Sequence, residues 1–297
     1  MSQLNPWQLG ASLYVPAARP DLLALGQGKY PRLGSLIYCT EDAVRPEDVP
    51  LALANLRGVL PQLSAAGGPL RFIRVRNPVV LAQVLEYDLG GISGFVLPKV
   101  HGGNLGDYLR LIERQAPAHI RVMPTLETRE ALSEDHMNLL RDQIFHECWQ
   151  ERILSLRIGG NDLLNVLGVR RARGRTLYEG PLERVISMLV GVFKPYGLNL
   201  SSPVYEVFSD SETLERELRQ DLDYGLCGKT IVHPAQIDTV INGYRVAETD
   251  VAEAQAILAP DAPAVFSLHG RMCEPATHSR WAQEVLTRAE LYGVSRV

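Results

Sequence analysis

One stretch of the sequence decides the fold: Leu154-Ser155-Leu156-Arg157-Ile158-Gly159-Gly160-Asn161-Asp162-Leu163. It is typical of a short buried strand followed by a glycine turn, and it presents an acidic residue just past the strand end. A second unit of this kind, residues 120–128, also closes on a carboxylate, that of Glu127. Two strands that deliver Glu127 and Asp162 to the same end of a sheet predict a divalent-metal site.

Similar apolar runs recur along the chain and alternate with helical patterns, without a composition break that would mark a linker. The expected strands are residues 12–16, 35–42, 70–78, 94–100, 120–128, 154–163, 199–205 and 228–234. Continuous apolar strands between helices imply a parallel sheet that is buried on both faces. Eight such units in about 250 residues predict an α/β fold, the (β/α)8 TIM barrel, and not an open sheet.

The remaining chain is not needed to close a barrel. We expect residues 1–245 to form the catalytic barrel domain and residues 246–297 to form a C-terminal helical extension. This extension is a candidate lid or subunit contact.

Composition restricts the classes of function. The chain has 297 residues, 46% of them hydrophobic and 22% charged, which indicates a globular protein with a large core. A formal charge of −4 gives no electrostatic reason to expect nucleic acid. The sequence has no apolar run that could cross a membrane, and its start lacks a signal pattern. The four cysteines are scattered, which indicates reduced thiols and a cytoplasmic protein.

Barrel enzymes carry their reactive groups at the carboxyl ends of the strands. The residues expected there include Glu41, Asp42, Arg74, Arg76, Lys99, Glu127 and Asp162. Two carboxylates on neighbouring strands suit Mg²⁺, which takes oxygen ligands and leaves positions for substrate oxygens. An arginine on a facing strand would clamp a carboxylate. Together these groups suit cleavage or formation of a C–C bond through an enolate.

These motifs, taken in order, resemble those of a known family, the citrate lyase β-subunit/malyl-CoA lyase group of the aldolase superfamily that also holds the class II pyruvate aldolases. Because the chain departs from the family pattern at Ala11, Cys39 and Glu274, it is similar to a divergent branch, the C–C bond lyases of the TIM-barrel fold. The resemblance rests on Ser12-Leu-Tyr-Val-Pro-Ala17, Glu41-Asp-Ala-Val44, Arg74-Val-Arg-Asn-Pro78, Leu97-Pro-Lys-Val100, Leu126-Glu-Thr128, Gly160-Asn-Asp-Leu163, Gly228-Lys-Thr-Ile-Val-His-Pro-Ala-Gln236 and Gly270-Arg-Met272.

The resemblance implies a Mg²⁺-dependent carbon–carbon lyase that acts on a β-hydroxy acid or its CoA thioester through a metal-stabilised enolate. It implies Mg²⁺ on Glu127 and Asp162 and a substrate carboxylate on Arg74. Arg76 and Lys99 are further candidates for substrate binding, and Glu41 and Asp42 are expected to support catalysis beside the metal. Glu274, from a neighbouring chain, would be the general acid or base. The resemblance also implies that the protein forms a homo-oligomer, either a trimer or a multiple of a trimer.

Departures from the family pattern leave alternatives open. Ala11 and Cys39 stand where the family has an arginine and an acid, and Glu274 stands where it has an aspartate. Arg74 and Arg76 compete for the clamp role, since a period of two would turn both to the same side. The enzyme alternative is a class II pyruvate-type aldolase, which would need a histidine base. The non-enzyme alternative is a metabolite-binding barrel without turnover.

Several charged residues also have ordinary structural explanations. Asp162 could serve as the cap of a helix and not as a metal ligand. Lys99 and Lys229 either meet a phosphate of the substrate or cap the barrel ends. The arginines of the segment that follows Gly168 are typical of solvated surface, although they could meet an anionic substrate; they are Arg170, Arg171, Arg173 and Arg175.

Overall fold

Eight parallel strands close into a barrel in chain order, and the last strand pairs back onto the first. The structure is a computed structural model and describes residues 4–295. The barrel strands are β1 Ala11–Pro16, β2 Ser35–Cys39, β3 Leu70–Arg74, β4 Gly94–Leu97, β5 Arg121–Leu126, β6 Leu156–Ile158, β7 Leu200–Tyr205 and β8 Cys227–Ile231. The (β/α)8 TIM-barrel prediction is confirmed.

Helices connect successive strands and cover the outside of the barrel. They are α1 Leu22–Gly26, α2 Val49–Val59, α3 Pro78–Leu85, α4 Leu105–Gln115, α5 Glu134–His146, α6 Gly160–Val166, α7 Leu182–Phe193 and α8 Ser211–Asp223. In α4, Leu105, Tyr108, Leu109 and Ile112 are buried, and their spacing of three to four residues gives the helix one apolar face. Asp210 caps α8 by accepting a hydrogen bond from the backbone N–H of Thr213.

An apolar layer fills the inside of the barrel. Its buried members are Leu9, Ile37, Phe72, Val96, Met123 and Leu154. Burial of each large side chain contributes about 1.5–3 kcal/mol. Arg74 ends β3 two residues after Phe72, and Glu127 follows β5 four residues after Met123, so the chain carries both charged residues beyond this layer to the carboxyl end of the barrel.

A second compact unit follows the barrel. Contacts divide the chain between Ile237 and Asp238, whereas the sequence prediction divided it after residue 245. The unit contains all but the first residue of α9 Ile237–Gly243, followed by β9 Val246–Ala247, α10 Glu248–Ile257, β10 Phe266–Leu268, β11 Arg271–Cys273, α11 Pro275–Tyr292 and β12 Val294–Ser295. The predicted C-terminal helical extension is confirmed, and its role as a lid or subunit contact stays a prediction.

None of the helices formed by residues 4–295 is both long and apolar enough to span a membrane. The absence of a signal pattern was inferred partly from residues 1–3, which lie outside the described residues, as do residues 296 and 297.

Candidate active site

A cavity of about 270 Å³ lies at the carboxyl ends of the barrel strands. Asp42, Arg74, Glu127 and Asp162 all line it, so these four predicted site residues are brought together. The polar side chains of Tyr14, Thr125, Arg157 and Thr230 also line the cavity. No histidine among the described residues lines this cavity. The cavity therefore lacks the histidine base that a pyruvate-type aldolase would need.

Glu127 follows β5 directly, and one of its two carboxylate oxygens is firmly held. Oε1 accepts a hydrogen bond from Nη2 of Arg74 at 3.1 Å and another from the backbone N–H of Lys99 at 2.8 Å. Lys99 has a φ of 50°, in the left-handed region that non-glycine residues seldom adopt. No described residue donates to Oε2, which remains available to a ligand.

Asp162 lies in the first turn of α6, and its carboxylate has no hydrogen-bond partner among the described residues. The N-cap residue of α6 is Gly159, so the helix-capping explanation of Asp162 is not needed. Gly159 also permits the close approach of β5, because a Cβ there would lie 2.3 Å from Cβ and 2.5 Å from Oε2 of Glu127. The glycine turn therefore allows both carboxylates to face one cavity.

Burial raises the pKa of Glu127 to about 7. The Arg74 guanidinium opposes this rise, and the negative charge of Asp162 adds to it. The two carboxylates thus repel each other across the cavity, and a cation between them would relieve that repulsion.

Arg74 ends β3 and joins three carboxylates at a single nitrogen. Its Nη2 lies 2.8 Å from Oε2 of Glu41, 3.2 Å from Oδ2 of Asp42 and 3.1 Å from Oε1 of Glu127. Nε is buried without a partner, and no described residue accepts a hydrogen bond from Nη1. Arg74 can therefore hold the protein's carboxylates and still offer Nη1 to a ligand.

The side chain of Lys99 bridges two of these acids, Glu41 and Asp42, from the solvent side. Its Nζ pairs with Oε1 of Glu41 at 2.5 Å and with Oδ1 of Asp42 at 3.0 Å, and the side chain is 45% exposed. Burial, and then the hydrogen bond with Asp42, raises the pKa of Glu41. Burial opposes ionisation of Asp42 as well, but hydrogen bonds with Glu41 and Lys99 lower its pKa. We call Glu41, Asp42, Arg74, Lys99 and Glu127 the rim cluster.

Two predicted site residues lie elsewhere. Arg76 follows the end of β3, so the alternation that would pair it with Arg74 does not extend to it. Its Nη1 donates instead to backbone carbonyls of residues 40–44, at 3.1–3.3 Å, and it does not line the cavity. Glu274 is the N-cap residue of α11 in the second unit, where its Oε2 accepts a hydrogen bond from Thr277. The roles predicted for both stay predictions.

Tyr14 and Arg157 are cavity residues that the sequence reasoning missed. The Tyr14 ring lies between two guanidinium groups, 5.8 Å from Cζ of Arg74 and 5.4 Å from Cζ of Arg157. A signal for Arg157 was present in the sequence, because a charged residue interrupts an otherwise apolar strand. Such a residue inside a barrel strand must meet a partner or a ligand.

A second buried ionic group lies on the wall of the barrel, between β8 and α8. We call it the wall cluster; its members are Arg171, Tyr178, Glu206, Glu217, Asp221 and Lys229. Nζ of Lys229 lies 2.7 Å from both Glu217 and Asp221, and all three side chains are completely buried. Arg171 pairs with Glu217, so this arginine is not the solvated residue that the sequence suggested.

Oxygen ligands from Glu127 and Asp162 would suit Mg²⁺. The free Oε2 of Glu127, the unpartnered carboxylate of Asp162 and the repulsion between them all fit a divalent cation. No group of three or more His, Cys, Asp or Glu side chains in residues 4–295 is arranged to hold a metal. The protein would thus supply two ligands and leave the other positions to water and substrate.

Comparisons with known proteins agree with this architecture. The family model described as C–C bond lyase of the TIM-barrel fold matches residues 3–294. A (3S)-malyl-CoA thioesterase of Cereibacter sphaeroides is 25% identical over 300 residues, which cover 99% of this chain and 98% of the relative. A citrate lyase subunit beta-like protein of Deinococcus radiodurans is 25% identical over 279 residues, 89% of this chain and 90% of the relative.

Solved structures show the same fold. The protein CitE of Mycobacterium tuberculosis, in complex with magnesium, acetoacetate and coenzyme A, superposes with a TM-score of 0.68 at 24% identity, covering 95% of this chain and 98% of that one. A citrate lyase of Burkholderia xenovorans superposes with a TM-score of 0.75 at 17% identity, covering 100% of this chain and 95% of that one.

Proposed function

This chain belongs to the C–C bond lyase family of the TIM-barrel fold, and we propose that it is a Mg²⁺-dependent lyase that cleaves or forms a carbon–carbon bond in a β-hydroxy acid or its CoA thioester. The observation that carries the proposal is the pair of carboxylates, Glu127 and Asp162, that face one cavity with Oε2 of Glu127 unoccupied by any described donor. The magnesium and coenzyme A of the similar CitE structure support the same class of chemistry.

Glu127 and Asp162 would hold the metal. When bound, Mg²⁺ would supply a positive charge beside the substrate oxygens on which negative charge develops. Arg74 and the backbone N–H of Lys99 fix Oε1 of Glu127, and so present Oε2 in a constant direction. Arg74 would also orient a substrate carboxylate through Nη1.

Cleavage requires a proton acceptor and then a proton donor. The β-hydroxyl proton leaves for a base as the C–C bond breaks, and the enolate that receives the electron pair then takes up a proton. Glu274 from a neighbouring chain is our candidate for this acid and base, in a cytoplasmic homo-oligomer. Glu41 and Asp42 keep Arg74 and Lys99 in position.

Thioester hydrolysis is a second candidate, and the name of the (3S)-malyl-CoA thioesterase relative favours it. The same cavity would then admit water to the thioester carbonyl. Products separate the two reactions, because C–C cleavage of malyl-CoA gives glyoxylate and acetyl-CoA, whereas hydrolysis gives malate and free CoA.

The decisive experiment measures Mg²⁺ binding by calorimetry and assays β-hydroxy acids and acyl-CoA thioesters for products. We expect Glu127→Gln and Asp162→Asn each to lower turnover at least about 100-fold, since each replaces one of two anionic metal ligands by a neutral amide. Glu134→Gln, at an exposed position on α5, makes the same charge change and should leave turnover unaltered.

Turnover that persists in EDTA, or full activity of Glu127→Gln, would overturn the proposal. Mg²⁺ binding that needs Glu127, without turnover of any hydroxy acid or thioester, would instead support the metabolite-binding barrel. Free CoA as the main product would support the thioesterase.

A further inference from the structure

Arg157 is a buried cation that no carboxylate of the protein neutralises. The residue is only 3% exposed. Its Nη2 donates to Oγ1 of Thr230 at 2.5 Å, and its Nη1 approaches Sδ of Met123 at 3.6 Å. Among residues 4–295, no Asp or Glu oxygen forms an ion pair with its guanidinium. Both protein partners are therefore uncharged.

The neighbouring Arg74 shows what Arg157 lacks. Arg74 is also buried, but three carboxylates surround its Nη2. Removing an ion from water is strongly unfavourable unless an opposite charge and hydrogen bonds compensate. For Arg157 the chain supplies a hydroxyl, a thioether and the face of the Tyr14 ring, but no negative charge. An anion that enters the cavity would supply the missing charge.

The position of Arg157 shows which part of a ligand it would meet. Met123 belongs to the apolar layer inside the barrel, so Arg157 lies at the inner end of the cavity. Thr125 pairs with Arg157 in the β5–β6 register, and its buried hydroxyl has no hydrogen-bond partner. A guanidinium and a free hydroxyl in a cavity of about 270 Å³ fit a carboxylate on a small molecule.

We infer that Arg157 and Thr125 form an anion subsite that binds a carboxylate at the far end of the substrate from Glu127 and Asp162. The substrate is then a small acid with two charged ends. One end lies at the carboxylate pair and Arg74, and the other lies at Arg157. The assignment of the first end rests on the proposed function, whereas the charge requirement at Arg157 does not.

Two acids test this subsite directly. L-Malate and (S)-2-hydroxybutyrate both carry a hydroxyl next to a carboxylate, and they differ only in a carboxylate or a methyl group at the far carbon. With the wild-type protein and Mg²⁺, calorimetry should give an affinity for malate about 10- to 100-fold higher, the range expected for a charge-assisted hydrogen bond.

Variants assign that preference to Arg157. Arg157→Met should reduce it to less than about threefold, and Arg157→Lys should keep part of it, because lysine retains the charge but not the planar fork. Arg57→Met removes an exposed arginine from the last turn of α2 and should leave the preference unchanged. Circular dichroism identifies variants that do not fold, and the wild-type comparison of the two acids does not depend on them.

Equal affinity of the wild-type protein for the two acids, including no measurable binding of either, would overturn the inference. A preference that persists in folded Arg157→Met would also overturn it. Repeating the titration in EDTA separates this inference from the proposed function. A malate preference that Arg157→Met abolishes but EDTA leaves intact would support the anion subsite and contradict the magnesium site.

Discussion

The rim cluster and the wall cluster both join acidic and basic side chains, but Asp42 and Lys99 of the rim are about half exposed, whereas Glu217, Asp221 and Lys229 of the wall are completely buried. Among the buried carboxylates of the two clusters, only that of Glu127 has an oxygen that accepts no hydrogen bond from a described residue. In the wall cluster, both oxygens of Glu217 and both oxygens of Asp221 accept hydrogen bonds, from Lys229, Arg171, Tyr178 and the backbone N–H of Leu177. At the rim, Oε2 of Glu127 and the nearby Asp162 accept none from described residues.

This difference distinguishes a structural ionic group from a ligand site. A fully paired cluster gains nothing from a ligand, and any loss of one member leaves an unpaired charge in the interior. An incompletely paired cluster is unfavourable by itself and improves when a ligand supplies the missing charge. Burial opposes ionisation of Glu217, but Lys229 and Arg171 lower its pKa below the ordinary value. Burial raises the pKa of Glu127 to about 7, although Arg74 lowers it. Burial also raises the pKa of Asp221 in the wall cluster. The unpartnered oxygens at the rim, and not the pKa values, therefore distinguish the two clusters.

Lys229→Met should have the largest effect on stability. Lys229 is completely buried, and its loss leaves Glu217 and Asp221 without their shared cation. We expect the free energy of unfolding, measured by urea denaturation, to fall by about 3–5 kcal/mol. A loss below about 1 kcal/mol would mean that water or protons replace the lysine, and the distinction between the clusters would fail.

Gly159→Ala should act on the rim with an intermediate effect. The new Cβ would lie 2.3 Å from Cβ of Glu127, so β5 or the glycine turn must move. We expect a stability loss of about 1–3 kcal/mol and at least a tenfold lower affinity for Mg²⁺ in calorimetry. Gly58→Ala is the control, since nothing lies within 4 Å of a Cβ there. Unaltered Mg²⁺ affinity in Gly159→Ala would argue against the metal site.

Lys99→Met should have the smallest effect, although Lys99, like Lys229, bridges two carboxylates. Its side chain is 45% exposed, and solvent-exposed ion pairs contribute less than about 1 kcal/mol. The free energy of unfolding in urea should therefore change by less than about 1 kcal/mol. A loss as large as that of Lys229→Met would show that the rim is as tightly closed as the wall.

The sequence was sufficient to predict the barrel and the grouping of Glu127, Asp162 and Arg74 at one end of it. Strand runs and helical patterns alternate regularly, and the carboxyl end of each strand is a fixed position in this fold, so Glu127, Asp162 and Arg74 could be placed at one rim. It could not predict the wall cluster, because the partners of Lys229 come from α8 and only packing of that helix brings them within reach.

The positions of two other arginines also have physical causes. Arg76 was grouped with Arg74 on the assumption that β3 continues, but the strand ends at Arg74. The prediction omitted Arg157 because barrel enzymes carry reactive groups at strand ends, whereas this residue lies within β6 and reaches the cavity from inside the barrel.

The left-handed backbone of Lys99 has a consequence for protein engineering. The group that fixes Oε1 of Glu127 is the backbone N–H of Lys99, and every residue type except proline carries one. Glycine or asparagine would adopt the φ of 50° most readily. Position 99 is therefore a place where the charge beside Asp42, a cavity residue, can be changed by mutagenesis while the orientation of Glu127 is retained.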